Sequence, residues 1–297
     1  MTVDRSALQT LPAAAFKELL PLFLAGRVDS TDPAHIQTHV DHWTPSQCEQ
    51  LLSALQTLGD EHRVYSANPL CQSLARGWMP NVLSTTVTGV EHVHAARAAG
   101  RTLIVTNHAS YLDAVATDVA LVLAEQAEVA DKIVYLAGPK VYQELFRLVA
   151  AASIHSLPVP QSKQVSQGQD IPVRELARRA MTSLEAGQRA LERGQILLFY
   201  PEGSRTRTGR LGSFLKATRR YIQAADFVVP ASIVGTDEVM PLSTGQLSPG
   251  AVRLCFGPPI EVRAADNARE VLISAHSAIS DLLPDARKPL PDTPPLV

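Results

Sequence analysis

The sequence predicts an α/β protein in which a mostly parallel central sheet is flanked by helices and preceded by an N-terminal helical appendage. From about residue 83 onward, short β-branched or apolar runs alternate with helical stretches, and this alternation is typical of parallel sheets. Some of the runs, such as 196–199, are apolar throughout, as expected of strands that are buried on both faces. Residues 12–80 contain helical patterns and turns instead, and we assign them to the appendage.

The pattern divides the chain into three predicted segments: a helical appendage over 1–82, an α/β domain over 83–285 and a proline-rich tail over 286–297. Within the appendage, the side chain of Thr44 suits an N-cap and Pro45 suits the first helical position, so we predict that a helix begins there. The tail is predicted to be either a loose end or a clasp on the surface.

The α/β domain is predicted to contain strands and helices in alternation. The predicted strands are 84–90, 102–106, 132–136, 153–159, 195–200, 227–234 and 252–256. The predicted helices are 111–126, 140–151, 172–193, 215–225 and 266–283. The last helix is expected to stop at Pro284, because proline cannot continue a helix.

The composition argues against several classes of protein. The 27 basic residues are balanced by 29 acidic ones, and a formal net charge of -2 does not suit a protein that covers nucleic acid with positive charge. Three widely spaced cysteines fit a reducing compartment, so we expect a cytoplasmic protein. The sequence contains no run of about 18 uncharged apolar residues, so no transmembrane helix is predicted. The leucines within 19–24 could contact a membrane surface peripherally, although core packing is favoured.

The first candidate site, Asn-His-Ala-Ser-Tyr-Leu-Asp at 107–113, follows the predicted strand 102–106. The spacing of His108 and Asp113 would separate them by about 140° on a helix, so they can meet only if His108 lies in a loop. Ser110 would then be the N-cap, with Asp113 at the third helical position and its carboxylate able to orient the imidazole as a base. From spacing alone, a capping interaction beside an ordinary loop histidine is favoured.

The second candidate site follows the predicted strand 195–200, where Pro201 and Gly203 introduce a turn. Ligands of open α/β sheets bind at such carboxyl ends of strands. The segment 201–220 contains six basic residues and the single acid Glu202, and guanidinium groups match the geometry of phosphate. An anionic substrate group and a solvated basic loop explain this imbalance equally well.

Taken together and in this order, the segments resemble the glycerolipid acyltransferase family, whose PlsC-like members acylate glycerol-3-phosphate or lysophosphatidic acid in phospholipid synthesis. The resemblance spans roughly residues 87 to 259. The first block of the family, N-H-x4-D, is matched by Asn107, His108 and Asp113. The third block, F-x-P-E-G-[ST]-R, is matched at 199–205, and the fourth, a strand that begins Val-Pro, at 229–233.

The resemblance implies an O-acyltransferase that requires no metal or redox cofactor. The implied donor is acyl-CoA or acyl carrier protein, and the implied acceptor is a hydroxyl of glycerol phosphate or of a lysolipid. His108 is implied to be the general base that deprotonates this hydroxyl, and Asp113 is implied to orient it. The residues implied to bind substrate are Glu202, Gly203, Ser204, Arg205, Arg207, Lys140 and Lys163.

One departure from the family concerns its second block, which commonly ends a strand with a basic residue that contacts phosphate. Here the strand runs into Gln161, Ser162 and Lys163, and the arginine expected near Pro160 is missing. Lys163 could replace it if the loop folds back. The acceptor is therefore open: it is either a phosphate held by cations of the third block or a molecule without phosphate.

Two other functions remain as alternatives. An acyl-thioester hydrolase would use the same histidine and aspartate with water as the acceptor, but water requires no cations that bind phosphate. A non-catalytic acyl-binding module would keep the fold, and the intact pair of His108 and Asp113 argues against it.

Overall fold

A computed structural model describes residues 4–28, 33–160, 172–262 and 267–297 of the chain. Its strands are β1 Leu83–Thr88, β2 Thr102–Thr106, β3 Ile133–Ala137, β4 His155–Pro158, β5 Ile196–Phe199, β6 Phe227–Val234, β7 Gly250–Phe256 and β8 Ile260–Glu261. Its helices are α1 Ala13–Ala25, α2 Pro33–Val40, α3 Pro45–Thr57, α4 Pro69–Trp78, α5 Val90–Ala99, α6 Asp113–Leu123, α7 Ala127–Ala130, α8 Leu145–Ala152, α9 Val173–Glu192, α10 Arg219–Ile222, α11 Thr236–Val239 and α12 Ala268–Leu282.

The eight strands form one sheet in the order β1-β7-β6-β2-β5-β3-β4, and β8 pairs with β6. Strands β6, β2, β5, β3 and β4 are mutually parallel. Strands β7 and β8 run antiparallel to β6, and β1 is parallel to β7. The predicted fold class, a mostly parallel sheet flanked by helices, is confirmed.

The two faces of the sheet are buried in separate cores, as strand β2 illustrates. Ile104 packs into a core that also takes in side chains of α1, α3, α4, α6 and α8. Leu103 and Val105 point to the opposite face, where α9 and α12 pack. Because successive side chains of a strand alternate between faces, an apolar run such as β2 is buried on both.

The segment before β1 is helical, and α3 begins at Pro45 as predicted. Thr44 Oγ1 accepts a hydrogen bond from the backbone N–H of Gln47 at 3.3 Å, and Gln47 Oε1 accepts one from the N–H of Thr44 at 2.8 Å. This reciprocal capping satisfies two N–H groups that the helix itself leaves free. Both tryptophans of the chain, Trp43 and Trp78, are buried in this segment.

The leucines of α1, for which membrane contact was considered, differ in their exposure to solvent. Phe16, Leu20 and Leu24 are buried in the core, whereas Leu19 and Leu22 are exposed. Contact of these two leucines with a lipid surface stays a prediction. Over the ranges that the structure describes, no helix has the length and apolar character needed to cross a membrane.

The tail forms a clasp on the α/β domain and is not a loose end. Phe214 and Leu296 form a parallel bridge, with the Phe214 N–H donating to Pro295 at 3.0 Å and the Val297 N–H donating to Phe214 at 2.9 Å. Arg210 also donates from Nη1 to the carbonyl of Lys288 at 3.0 Å. The tail therefore borders the loop that follows β5.

Two predicted elements were wrong in extent, and two short elements were missed. The strand predicted at 84–90 ends at Thr88, because Gly89 has a left-handed φ of 77° and α5, which was not predicted, starts directly after it. The helix predicted at 215–225 is a 3-10 turn over Lys216–Thr218 followed by the short α10. Strand β8 was missed, since two residues are too few to give a periodic pattern.

Candidate active site

The candidate site lies where three adjacent parallel strands, β6, β2 and β5, end at the same edge of the sheet. The chain continues from β2 into His108, from β5 into Glu202 and from β6 into Thr236. Parallel strands bring their carboxyl ends together, so loops that are distant in sequence meet there. Both predicted candidate sites are thus part of one site.

His108 and Asp113 form a hydrogen-bonded pair, with 2.7 Å between Nδ1 of the imidazole and Oδ2 of the carboxylate. The carboxylate is fully buried and accepts two further hydrogen bonds, from the N–H of Ala109 at 2.8 Å and from that of Ser110 at 3.0 Å. Because a carboxylate only accepts hydrogen bonds, Nδ1 carries the hydrogen and the lone pair is on Nε2. This lone pair can accept a proton or a hydrogen bond from a neighbouring group.

The local structure that produces this pair differs from the prediction. Asp113 is the first residue of α6, not the third helical residue, and Leu112 occupies the N-cap position. Ser110 does not cap the helix; its Oγ accepts a hydrogen bond from the N–H of Leu112 at 3.3 Å. The carboxylate reaches back to the preceding N–H groups, which favour negative charge at the start of a helix.

Thr236 is a further residue of this site that the sequence reasoning missed. Its Oγ1 donates a hydrogen bond to Oδ1 of Asp113 at 2.5 Å, and the residue is fully buried. Its position depends on Gly235, which has a φ of 100° and whose backbone is so close to Ala251 that a Cβ would lie 2.0 Å from the carbonyl oxygen. Only glycine fits this turn at the end of β6.

Glu202 connects the two loops through backbone donors. Its Oε1 accepts from the N–H of His108 at 2.8 Å, and its Oε2 accepts from the N–H of Gly212 at 2.8 Å. Burial raises the pKa of Glu202 to about 7, although both hydrogen bonds act in the opposite direction. The carboxylate thus holds the loop after β5 against the loop after β2.

Tyr200 packs its ring on the imidazole of His108, with 4.1 Å between the ring centroids and 18° between the planes. Its hydroxyl is buried without a hydrogen-bond partner in the described part of the chain. Burial raises the pKa of Tyr200 well above its usual range. The ring therefore acts as a neutral wall behind the imidazole and restricts its movement.

Two guanidinium groups lie against the ring of Tyr111, three residues after His108. The guanidinium carbon of Arg205 is 3.5 Å from the ring centroid, and that of Arg147, from α8, is 4.6 Å from it. Burial lowers the pKa of Arg205. Among the described residues, no carboxylate forms an ion pair with Arg205, so its charge is available to an anion near His108.

The remaining predicted residues have varied positions. Gly203 has a φ of 70°, and a Cβ would lie 2.2 Å from Cδ1 of Leu215, so this turn needs glycine. Ser204 and Arg207 are exposed on the same loop. Lys140 is exposed on the 3-10 turn Pro139–Tyr142, beside the pocket described next. Lys163 lies outside the described residues.

A pocket that is open to solvent begins at His108 and extends between α6, α8 and β3. Much of its lining is apolar, including Leu136, Val141, Phe146 and Ile154. Such a wall favours a hydrocarbon chain, since burial of each methylene group contributes about 0.8 kcal/mol. No group of three histidine, cysteine or acidic side chains that could hold a metal ion occurs within 4–28, 33–160, 172–262 and 267–297.

A parallel sheet with a histidine–aspartate pair at its carboxyl edge, next to guanidinium groups and an apolar pocket, defines a class of protein suited to transfer of apolar acyl groups. A family model described as acyltransferase matches residues 84–234, just over half of the chain. The chain belongs to the acyltransferase family.

The relatives are named as glycerolipid enzymes. The chloroplastic 1-acyl-sn-glycerol-3-phosphate acyltransferase LPAT1 of Arabidopsis thaliana is 32% identical over 124 residues, 41% of this chain and 35% of that protein. The chloroplastic enzyme BAT2 of Brassica napus, named for the same activity, is 37% identical over 78 residues, 26% of this chain and 23% of that protein. The chain thus matches about a third or less of these relatives' length.

A solved structure extends the comparison. The 1-acyl-sn-glycerophosphate acyltransferase PlsC from Thermotoga maritima is 15% identical and aligns over 93% of this chain and 94% of its own, with a TM-score of 0.49.

Sequence reasoning found the residues that are close together in the chain and missed those that the fold brings in. Thr236 follows the strand predicted at 227–234, and its place after Gly235 at the end of that strand was the available signal. Tyr200 was visible as the last aromatic residue before Pro201. Arg147 lies in a helix that contains no sequence motif. The available signal was that the arginine expected after β4 is missing.

Proposed function

We propose that the protein is an O-acyltransferase that moves a fatty acyl group from an acyl thioester to a hydroxyl of glycerol-3-phosphate or of a lysophospholipid. The observation that carries this proposal is the pair of His108 and Asp113 at the wall of an apolar pocket. Family membership and the names of the relatives support it.

The geometry supports a direct transfer in which His108 is the base. Nε2 takes the proton of the acceptor hydroxyl while the oxygen attacks the carbonyl carbon of the thioester. The tetrahedral intermediate then collapses, the carbon–sulfur bond breaks, and the leaving thiolate takes the proton from the imidazolium. Asp113 holds Nδ1 and stabilises the positive charge that the ring carries between the two steps.

The donor and acceptor follow from the surroundings of the pair. The apolar pocket suits the acyl chain, and either acyl-CoA or acyl carrier protein would deliver it as a thioester. Arg205 suits an anionic acceptor, with Ser204 and Arg207 exposed on the same loop and Lys140 at the edge of the pocket. Glu202 and Gly203 act on the shape of this loop. Peripheral contact with a membrane through Leu19 and Leu22 is part of this proposal.

Replacement of the base tests the proposal. In His108→Ala, we expect acyl transfer to fall by about 100- to 10,000-fold, the range that a general base contributes, while the protein stays folded. The measurement is ester formation by mass spectrometry, with folding followed by circular dichroism. His94→Ala is the matched control, because His94 is a half-buried imidazole that bonds to Gln126 away from the pocket.

Two outcomes would contradict the proposal. Undiminished transfer in His108→Ala would remove His108 as the base. Release of free thiol from acyl-CoA at the same rate with and without glycerol-3-phosphate or lysophosphatidate, and without ester product, would identify a hydrolase instead.

A further inference from the structure

We propose that Arg147 in α8 binds the phosphate of the acceptor together with Arg205, and that it replaces the arginine that is missing near Pro160. The inference rests on the proposed function and adds to it a substrate-binding residue outside the sequence motifs. It also decides between the two acceptors left open by the sequence, in favour of one that carries a phosphomonoester.

The position of Arg147 favours this role. Arg147 lies in the wall of the pocket that His108 also lines. It shares the ring of Tyr111 with Arg205, at 4.6 Å and 3.5 Å from the ring centroid. An anion that contacts Arg147 would therefore lie in the pocket that His108 lines, as the phosphate of an acceptor must if its hydroxyl is to react with His108 as the base.

The positive charges of Arg147 and Arg205 also favour binding of an anion. The two guanidinium groups repel each other, because both lie against the ring of Tyr111 and are partly buried. The charge of Arg147 lowers the pKa of Arg205, in addition to the effect of burial. Glu144 pairs with Arg147 at 3.2 Å, but it also pairs with Arg27, so it compensates Arg147 only in part. A phosphomonoester, with a charge between -1 and -2 near neutral pH, would remove this repulsion.

The hydrogen bonding of Arg147 is incomplete. Nε of Arg147 is buried and has no acceptor within the described ranges. A buried donor without a partner costs free energy, which structures seldom tolerate without a reason. An anion in the pocket would supply an oxygen acceptor to Nε, which otherwise lacks one among the described residues.

Steady-state kinetics with two acceptors tests the assignment. The acceptors are 1-octanoylglycerol 3-phosphate and 1-octanoylglycerol, which differ only in the phosphate, and the donor is octanoyl-CoA. In Arg147→Met, we expect KM for the phosphorylated acceptor to rise about ten- to hundredfold, the range for one lost hydrogen bond to a charged group. We expect KM for the donor, and turnover with 1-octanoylglycerol, to stay within about twofold, and Arg147→Lys to recover part of the loss.

Arg63→Met is the matched control. Arg63 also lies over a tyrosine ring, that of Tyr65 at 4.3 Å, and pairs with Glu61 at 2.8 Å, but it does not line the pocket. It should leave both acceptors unaffected. Equal losses on the two acceptors in Arg147→Met, or a rise in KM for octanoyl-CoA alone, would overturn the assignment; the second result would place a phosphate of the donor there.

Binding without turnover separates this inference from the proposed function. Calorimetry measures the affinity of glycerol 3-phosphate for His108→Ala and for His108→Ala/Arg147→Met. We expect the second variant to bind at least about tenfold more weakly. Equal affinities would refute the role of Arg147 even if transfer occurs. Loss of affinity in a protein whose wild type transfers nothing would support the anion site and refute the acyltransferase.

Discussion

At the scale of single residues, the carboxylate of Asp113 is the fixed point of the site. It accepts hydrogen bonds from His108, Ala109, Ser110 and Thr236, which belong to the loops after β2 and β6. Desolvation of a carboxylate is costly, and these donors offset that cost. They also leave the carboxylate a single orientation, and through it they fix the plane of the imidazole.

Thr236→Val tests this positioning role. The change keeps the shape of the side chain and removes the O–H donor to Asp113, so we expect kcat to fall about tenfold or more with little change in the KM of the acceptor. Thr236→Ser keeps the donor and should recover most of the activity. Thr102→Val is the control, since Thr102 is buried and its hydroxyl bonds to the carbonyl of Gly100 at 3.1 Å. A serine variant as impaired as the valine variant would count against the hydrogen bond.

Distance along the chain explains which residues the sequence could predict. His108 and Asp113 are five residues apart, so one loop and one helix start decide whether they meet. Thr236 is 123 residues from Asp113, and only the pairing of β2 with β6 brings it close. Arg147 was equally unpredictable from the sequence, because nothing in the pattern of α8 indicates which side chain will contact Tyr111.

At the scale of elements, the loop after β5 depends on a single carboxylate. Glu202 accepts N–H groups from His108 at one end and from Gly212 at the other, and Gly203 gives the turn between them its left-handed φ. Burial favours the protonated form of Glu202, because the charged form loses its solvation there. The loop should therefore be sensitive to pH.

Glu202→Gln tests the pH dependence of stability. Burial raises the pKa of Glu202 from 4.5 to about 7, so between these values the native state binds more protons than the unfolded state. The contribution of Glu202 to the free energy of unfolding is then largest below pH 4.5 and falls as pH rises to about 7, by about 3 kcal/mol. In the glutamine variant this change is absent.

The measurement is urea unfolding of both proteins at several values between pH 4.5 and 8. The difference in free energy of unfolding, wild type minus variant, should decrease through this window and stay level above it. A difference that is constant or that increases with pH would show that Glu202 ionises without this penalty.

Elements were predictable where packing and sequence pattern agree. Strands β2 and β6 were predicted at their observed limits, because both are apolar runs bounded by turn residues. The helix predicted at 215–225 failed, because the chain at and just before its start, at residues 211, 214 and 216, forms backbone hydrogen bonds with the tail and only a short helix follows. Such pairing with a distant segment leaves no trace in local periodicity.

At the scale of the whole molecule, a buried ion pair joins the helices before β1 to the α/β part. The guanidinium of Arg76 in α4 donates to both oxygens of Asp118 in α6, at 2.9 and 2.8 Å, and also contacts Asp131 at 2.7 Å. Burial raises the pKa of Asp118, whereas the guanidinium acts to lower it. Removal of Arg76 alone would leave the carboxylate of Asp118 buried without this partner.

Arg76→Met should therefore destabilise the protein by about 3–5 kcal/mol, measured by urea unfolding. The double variant Arg76→Met/Asp118→Leu should recover most of this loss, since it leaves no buried charge. Arg101→Met is the control, because its pair with Asp226 is exposed and should contribute less than about 1 kcal/mol. A double variant less stable than Arg76→Met would argue that the pair is net stabilising.

The location of both tryptophans before β1 has a practical consequence for optical spectroscopy. Intrinsic tryptophan emission will report chiefly on the helices before β1 and on their contact with the α/β part, whereas far-ultraviolet ellipticity averages over every helix and strand. If the two signals share one midpoint, the chain melts as one cooperative unit. If emission changes first, the leading helices detach while the α/β part is still intact, and the predicted boundary near residue 82 acquires a thermodynamic meaning.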